Sequence, residues 1–182
     1  MQIPDQELVD RLLSEASRNS AFQELVTRYQ ERLYWHVRKM VLNHDDADDV
    51  LQNTFIKVWK SLGQFRGESS LFTWLYRIAT NESITFINSK KRHSLVSMNE
   101  VSDYLKNRLE ADDYLEGSDI QKKLQNAILT LPDKQRLVFN MRYFEEMPYQ
   151  QMSEILDTSV GALKASYHHA ARKVEEFISN NE

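Results

Sequence analysis

The chain has 182 residues, of which 41% are hydrophobic and 27% charged, and its formal net charge is −4. It contains no cysteine, which excludes disulfides, zinc–thiolate sites and thiol redox chemistry. Its N-terminal segment carries an early acid and no long apolar run, so we expect no signal peptide, no membrane insertion and a cytoplasmic location.

Helical periodicity runs along almost the whole chain, and no convincing strand pattern or internal repeat is visible. The scarcity of turn residues, with four glycines and three prolines, favours helices as well. The pattern predicts an all-α fold of two helical domains joined by an acidic linker. The expected boundaries are residues 1–93, 94–118 and 119–182.

Apolar side chains recur every three or four residues in several segments. In the first half these segments run from Phe22 to Met40, from Leu51 to Leu62 and from Leu71 to about Lys91. We expect Gly63 to end the second of these helices. In the second half the predicted helices are 120–131, which stops before Pro132, then 137–141, 148–156 and 160–174.

The helix predicted to begin at Leu71 carries large side chains on more than one side. Two apolar stripes lie next to each other on it: Leu71, Leu75 and Ile78, and Phe72, Tyr76 and Ala79. Trp74 belongs to neither stripe and shares a third side with Arg77, Ile78 and Asn81. The stripe of Leu71 accounts for core packing, but it does not explain the Trp74 ring.

Charge is unevenly distributed along the chain. Residues 71–93 contain four cations against one acid, Glu82, and residues 160–173 contain three cations and no acid. The segment between them, 94–118, is acidic. Two basic segments around an acidic one are typical of two modules and a linker, and they leave nucleic-acid binding open despite the negative total.

The C-terminal half contains a helix-turn-helix pattern. Residues 148–156 and 160–174 predict two helices joined by a turn at 157–159. We expect Pro148 in the first helical turn and Ser159 as the cap of the second helix, which in such motifs enters a DNA major groove. The predicted outward residues are Lys164, Ala165, Ser166, His168, His169 and Arg172. An ordinary helical hairpin with a solvated basic face explains the motif alone equally well.

Taken together, the two halves resemble the sigma-70 family of bacterial transcription initiation factors, and within it the extracytoplasmic-function (ECF) group. The resemblance rests on "DDADDVLQNTFIKVWKSLGQFRGESSLFTWLYRIATN" followed by "LPDKQRLVFNMRYFEEMPYQQMSEILDTSVGALKASYHHA". It implies a sigma factor that binds the clamp coiled coil and flap region of core RNA polymerase. It also implies promoter-specific initiation with promoter melting, no cofactor, and an anti-sigma factor as a further partner.

The resemblance assigns the acid-led helix to contact with polymerase. The residues it points to are Asp48, Asp49, Gln52, Phe55 and Trp59. Two of these assignments have alternatives: acids at 45–49 also suit the start of a helix, and Phe55 also suits the core. We favour the interface for Asp49 and Gln52 and leave Phe55 open. A calcium loop is excluded, because "DDADDV" lacks alternate ligands and the turn glycine.

The resemblance implies that the helix beginning at Leu71 contacts the downstream promoter element. There Trp74 would lie at the junction of duplex and melted DNA, and Asn81 near a pocket for an unstacked base. The remaining residues implied to contact DNA in this half are Arg77, Lys90, Lys91 and Arg92. Burial is the alternative for Trp74 and Tyr76; we favour burial for Tyr76, leave Trp74 open and favour base contact for Asn81.

The resemblance assigns recognition of the upstream promoter element to Ser159 and the outward residues of the second helix of the motif. That helix departs from the family at Ser166, His169 and Ala171, where basic residues are common, so its preferred sequence is not predicted. Pro148 also replaces the usual hydroxyl cap, and Asp157 the usual turn glycine.

No catalytic or metal-binding constellation is visible in the sequence. Neighbouring His168 and His169 point about 100° apart on a helix, which argues against a metal site. The sequence shows no nucleophile–base pair, glycine-rich phosphate loop or HExxH motif, so we expect no enzyme activity. The main alternative function is a polymerase-independent helix-turn-helix regulator. A protein-binding helical adaptor and, more distantly, a small helical enzyme are the others.

Overall fold

The structure is a computed structural model that describes residues 4–93 and 119–180. Over these residues the chain forms eight α-helices, one short 3₁₀ helix and no strand, which confirms the all-α prediction. The chain divides into two compact units, Met1–Asn88 and Ser89–Glu182. The predicted linker, 94–118, lies outside the described residues.

The first unit contains α1 (Asp5–Leu13), α2 (Arg18–Val41), α3 (His44–Ser61), a 3₁₀ helix (Leu62–Gln64) and, as far as Asn88, α4 (Leu71–His93). Helices α1 and α3 both pack on α2. Helix α4 is joined to α2 by a buried hydrogen bond of 2.9 Å between His36 Nε2 and Thr80 Oγ1. The hydroxyl of Tyr76 also donates to the carbonyl oxygen of Arg32, at 3.4 Å. The two helices are therefore held together by polar as well as apolar contacts.

Three features of this unit differ from the sequence prediction. Helix α1 was not predicted, because its apolar residues occupy a segment of only nine residues. Helix α3 begins earlier than the apolar stripe at Leu51, because the side chain of Asn43 caps it by accepting from Asp46 N at 3.0 Å. The prediction that Gly63 ends α3 was wrong: Gly63 lies inside the 3₁₀ helix, and the left-handed glycine is Gly67, with φ 70°.

The second unit comprises α5 (Asp119–Leu129), α6 (Asp133–Tyr143), α7 (Tyr149–Leu156) and α8 (Val160–Ser179). The other three helices all pack on α8. The buried cluster at the centre contains Ala127, Ile128, Leu131, Phe139, Ala170 and Val174. Arg136 is also buried, beside Asp133 at 3.1 Å; burial lowers the pKa of its guanidinium, and Asp133 partly opposes that shift.

The helix-turn-helix pattern forms as predicted in its main elements. Residues 157–159 separate α7 from α8, and α8 continues beyond Val174 to Ser179. The placement of Pro148 in the first turn was wrong by one residue, because its ψ of 141° lies outside the helical range. Pro148 is therefore the capping residue, and α7 begins at Tyr149.

Candidate polymerase-binding and DNA-binding surfaces

The acids at the start of α3 fall into two groups. Asp45 and Asp46 lie in the first turn, where the helix dipole stabilises negative charge. Asp48 and Asp49 lie beyond that turn and are exposed. Asp48 Oδ2 lies 3.4 Å from His44 Nε2, one turn earlier. The helix-start explanation therefore accounts for the first pair of acids and leaves Asp49 available at the surface.

The side of α3 away from the core carries a mixed acidic and apolar surface. Val50, Thr54 and Val58 are buried on the inner side. The outer surface, which we call the α3 face, consists of Asp45, Asp49, Gln52, Ile56 and Trp59. Ile56 is 46% exposed and Trp59 40% exposed, which is unusual for large apolar side chains and typical of a protein interface. Sequence reasoning missed Ile56, although its spacing from Gln52 and Trp59 indicated the same face.

Phe55 and Trp59 both contact Phe22 of α2. The Trp59 ring meets Phe22 edge-on at 4.9 Å between centroids, and the Phe55 ring does so at 6.4 Å. Phe55 is half-buried. It therefore serves the packing of α3 on α2 at least in part, and Trp59 combines a packing contact with an exposed surface.

An open cleft lies between the segment before α4 and the first turns of α4. Its volume is about 260 Å³, and it is lined by Gln64, Phe65, Arg66, Glu68, Ser69, Trp74 and Arg77. Ser70 caps α4, since its Oγ accepts from the backbone N of Thr73 at 3.1 Å. This cap fixes where the helix begins and places Trp74 in its first turns, against the cleft.

Trp74 differs from the apolar residues around it. Leu71, Leu75 and Tyr76 are each at most 3% exposed, which confirms burial for Tyr76. Trp74 is half-buried, and its ring leans on Phe65 at 4.9 Å with an angle of 49° between the planes. Ile78, expected to face the core with Leu71 and Leu75, is only half-buried because it lies at the edge of that stripe. The third side of the helix is thus the one that borders the cleft.

Arg77 and Asn81 follow one another along the exposed surface of α4, one turn apart. Arg77 also lines the cleft. Asn81 lies well inside α4, and its backbone oxygen accepts from Thr85 Oγ1 at 2.8 Å. Sequence reasoning missed Arg66, which adds a second cation to the cleft; its position before a loop glycine gave no signal.

The charge on α4 is more positive than the sequence alone indicates. Glu82 is the only acid between residues 71 and 93, and it pairs with Lys57 of α3. This pairing offsets the one negative charge on the helix. Lys90 is exposed. Lys91 and Arg92 lie on α4, but their side chains are outside the described residues.

The turn of the helix-turn-helix is built without glycine. Asp157 adopts the left-handed conformation, with φ 50° and ψ 47°, which Asp tolerates better than most residues. Ser159 caps α8, its Oγ accepting from the backbone N of Ala162 at 3.3 Å. Met152, Ile155 and Leu163 are buried across the turn. The motif is therefore stable although two of its positions depart from the family pattern.

Most of the predicted outward residues of α8 are exposed. These are Lys164, Ala165, His168, His169 and Arg172. Ser166 is half-buried, so the prediction that it faces outward was wrong in part: it lies toward the side that carries Leu163 and Ala170. Arg172 pairs with Glu176 at 2.8 Å between two exposed side chains, a contact that solvent screens strongly.

Tyr149, at the start of α7, lies among cations. Arg142 approaches its ring at 5.3 Å and Lys164 at 5.9 Å. Its other neighbour, Tyr167, stacks on Phe139, and burial raises the pKa of Tyr167, which therefore stays neutral. Sequence reasoning missed Arg142 and Tyr149, because their approach to Lys164 depends on how α6, α7 and α8 pack.

Residues 4–93 and 119–180 hold no group of His, Asp and Glu side chains that could bind a metal ion. None of the helices described is both long enough and apolar enough to cross a membrane.

Comparisons with known proteins match both halves of the chain. The Sigma-70 region 2 family model matches residues 25–93, and the Sigma-70, region 4 model matches residues 121–174. Helix α1 precedes the first match.

Curated relatives are similar over nearly the whole length. The ECF RNA polymerase sigma-E factor of Haemophilus influenzae is 29% identical over 97% of this chain and 96% of its own. The sigma-E factor of Escherichia coli K12 is 29% identical, covering 97% of this chain and 95% of its own. The RNA polymerase sigma-H factor of Pseudomonas aeruginosa is 28% identical, with coverages of 97% and 95%.

Two solved structures share the fold. CnrH, in complex with the cytosolic domain of CnrY, has a TM-score of 0.70 and 20% identity, over 98% of this chain and 99% of that one. The sigma factor RpoE of Bartonella quintana, in complex with the anti-sigma factor NepR, has a TM-score of 0.67 and 18% identity, over 88% and 98%. With region 2 and region 4 both present and relatives of this length, the chain belongs to the sigma-70 family, as a sigma factor of the ECF group.

Proposed function

We propose that this sigma factor binds core RNA polymerase through the α3 face, opens the promoter at the cleft beside Trp74, and reads the upstream element with α8. The observation that carries the proposal is the half-buried Trp74 beside Arg66 and Arg77, on a helix whose neighbouring side is core. In this scheme the helical domain of residues 1–93 binds polymerase and the downstream promoter element. Residues 119–182 bind the upstream promoter element.

The α3 face has the composition that a protein partner needs. Ile56 and Trp59 supply apolar area, which drives association when it is removed from water. Asp49 and Gln52 supply charge and hydrogen bonds, which select a partner whose surface is basic. We assign this face, with Asp48 at its border and Phe55 below it, to the clamp coiled coil.

Promoter melting requires a group that receives an unstacked base. Unstacking costs a few kcal/mol, and stacking on an aromatic side chain returns about 1–3 kcal/mol per base. Trp74 is exposed enough to offer a ring edge or face, and Phe65 packs against that ring. Asn81 offers an amide to a base edge, and Arg66, Arg77 and Lys90 offer charge to phosphates.

The upstream element is read by α8. His168, His169 and Arg172 are exposed on its outer side, and Ala165 between them permits close approach of the groove. Ser159 and Lys164 lie near the start of the helix, where side chains and backbone N–H groups favour phosphates. Arg142 and Tyr149 extend this phosphate-binding side onto α6 and α7.

The charge of the chain explains why polymerase is required. Phosphate contacts supply most of the affinity for DNA, and a protein with a net charge of −4 has few to offer. The free protein therefore binds promoter DNA weakly, and core polymerase makes the binding specific. This favours a sigma factor over a regulator that acts without polymerase.

Three further expectations belong to the proposal. The protein works in the cytoplasm, where core polymerase is found, and has no catalytic activity of its own. An anti-sigma factor holds it inactive by covering polymerase-binding or DNA-binding surfaces. Both solved neighbours were determined with a bound protein partner, which supports this expectation.

The test combines polymerase binding with promoter binding. Asp49→Lys reverses a charge on the α3 face, and Asp10→Lys reverses one on the exposed side of α1 as the control. We expect Asp49→Lys to weaken binding to core polymerase at least tenfold and Asp10→Lys to leave it unchanged, since a like charge facing a basic partner is repelled. Equal binding by both variants, or tight specific promoter binding by the free protein at physiological salt, would overturn the proposal.

A further inference from the structure

Helix α1 is attached to α2 at its first turn by one carboxylate. Asp5 Oδ1 accepts from Arg28 at 2.8 Å, and Asp5 Oδ2 accepts from the hydroxyl of Tyr29 at 2.7 Å. Tyr29 is buried, and burial together with the bond to Asp5 raises the pKa of its hydroxyl, which stays protonated and donates. A buried donor left without an acceptor carries a desolvation cost, so this contact fixes the position of α1 more firmly than a surface ion pair does.

The last turn of α1 is held as well. Arg11 pairs with Glu24 at 2.8 Å, and Glu24 also pairs with Arg28, so one network joins both ends of α1 to α2. Arg18 donates to the carbonyl oxygen of Leu12 at 3.1 Å, and Leu8 and Leu12 are buried beneath the helix. A nine-residue helix is not stable alone in water, so α1 exists in this position because of these contacts.

Helix α1 has a second neighbour, the 3₁₀ helix Leu62–Gln64. Leu62 is buried, and its carbonyl oxygen accepts from the backbone N of Phe65 at 3.2 Å. Gln64 and Phe65 form one wall of the cleft, and Phe65 supports the Trp74 ring. A continuous series of contacts therefore leads from Asp5 and Tyr29, through α1 and the 3₁₀ helix, to the cleft.

We propose that Asp5 and Tyr29 are positioning residues for promoter melting: by anchoring α1, they hold the 3₁₀ helix and Phe65 in the arrangement that presents Trp74 to DNA. The proposal rests on the proposed function of the cleft. Neither residue touches DNA, and neither lies on the α3 face. Their effect is on the shape of the cleft, and binding of core polymerase is unaffected.

Hydrogen exchange of the free protein tests the first half of this proposal without DNA. Tyr29→Phe removes the hydroxyl that donates to Asp5, and Asp5→Asn removes the negative charge and one of the two acceptor oxygens; both variants keep the side-chain volume. Glu7→Gln removes a first-turn acid of the same helix that is exposed, and controls for the helix dipole. We expect backbone amides of residues 62–70 to exchange about tenfold faster in the first two variants and at the parent rate in Glu7→Gln.

One pattern of exchange rates would contradict the proposal. If amides of α1 exchange faster in Asp5→Asn and Tyr29→Phe while residues 62–70 keep the parent rate, α1 does not hold the cleft and the proposal is wrong. Exchange in 160–179, in the other unit, is the internal reference and should not change in any variant.

Transcription with core polymerase tests the second half. Asp5→Asn and Tyr29→Phe should bind core polymerase like the parent and lose several-fold in initiation on duplex promoters. On a template with a pre-opened bubble the loss should be smaller. Trp74→Ala serves as the reference for loss of the cleft. If Trp74→Ala initiates normally, the function proposed for the cleft is wrong, and the exchange result still decides whether α1 holds the cleft in place. If Trp74→Ala is impaired but Asp5→Asn and Tyr29→Phe are fully active, the positioning role is overturned.

Discussion

The ring of Trp74 rests on the ring of Phe65, with centroids 4.9 Å apart and planes inclined by 49°. Phe65 lies just after the 3₁₀ helix, and Trp74 lies in the first turns of α4, so the contact joins the two walls of the cleft. Two residues further along α4, Tyr76 is buried against His36 in the core of the same unit. Positions two residues apart on one helix thus carry a packing ring and a ring that faces a solvent-accessible cleft.

Trp74→Ala should separate melting from folding. Emptying a core Trp site costs about 3–5 kcal/mol, a large part of the stability of a small domain, and a half-buried ring at a cleft costs less. We expect the variant to fold, to bind core polymerase and to initiate poorly on duplex promoters, with a pre-opened bubble restoring much of the activity. Tyr76→Ala is the buried comparison and should melt far lower. If Trp74→Ala melts as low and no bubble rescues it, the ring belongs to the core.

Asn81→Ala should be rescued less by the same bubble. An amide that captures a base is still needed when the strands are already apart, whereas the cost of separating them is not. The variant should keep its thermal stability, because Asn81 is exposed. Asn19→Ala, an exposed amide on α2, is the control and should transcribe normally. Complete rescue of Asn81→Ala would assign its side chain to strand separation alone.

Helix α8 should contain both base-reading and phosphate-binding residues. We expect His169→Ala to relax preference at particular base positions, since a base contact is worth about 1–3 kcal/mol. Lys164→Ala should weaken all upstream sequences equally and reduce the salt dependence of binding, as loss of a phosphate contact does. Ser166→Ala should have the smallest effect, because Ser166 is half-buried. Transcription from a promoter library measures all three; normal preference and strength in every variant would place another surface on the DNA.

How much of this could be predicted from sequence depends on the length of each pattern. The long stripes of α2 and α4, and the cap and turn residues of α7 and α8, predicted the fold because many side chains repeat the same signal. Helix α1 was missed because nine residues give too few repeats, although Leu8, Val9 and Leu12 are buried. The prediction that Gly63 ends α3 was wrong because a 3₁₀ helix follows Ser61, and the glycine with a left-handed backbone is Gly67.

The candidate surfaces were predicted unevenly for a related reason. Exposure of Asp49, Gln52 and Asn81 follows from helical spacing, so the sequence contained that information. The contact of Phe65 with Trp74 and the approach of Arg142 to Tyr149 join residues from different elements. Such contacts depend on tertiary packing, which periodicity does not encode.

Two left-handed residues in the second unit should respond differently to glycine. Glu146 has φ 49° and Asp157 φ 50°. A left-handed backbone costs an L-residue about 1–2 kcal/mol of strain, which replacement by glycine removes. Part of this gain is lost, because glycine also makes the unfolded chain more flexible. We expect Glu146→Gly to raise the free energy of unfolding by about 0.5–1 kcal/mol, and Asp157→Gly by less, because Asp tolerates this conformation. Urea unfolding measures both; a larger gain at Asp157 would contradict this ranking.

Leu42, in the first unit, has the same conformation and should give the opposite result. Its φ is 65°, but its side chain is buried at 6% exposure. Removing a buried Leu side chain forfeits about 1.5–3 kcal/mol of burial, which exceeds the strain relieved. We therefore expect Leu42→Gly to lower the urea midpoint. A stabilised variant would mean that Leu42 contributes little to the core of this unit.

Run-off transcription with purified core polymerase tests the central claim most directly. Genomic promoter fragments are transcribed with core polymerase alone, with polymerase and the parent protein, and with polymerase and Asp49→Lys. We expect initiation at defined start sites only when the parent protein is present, and strongly reduced initiation with Asp49→Lys. Absence of specific initiation with the parent protein, although it folds and binds core polymerase, would contradict the account.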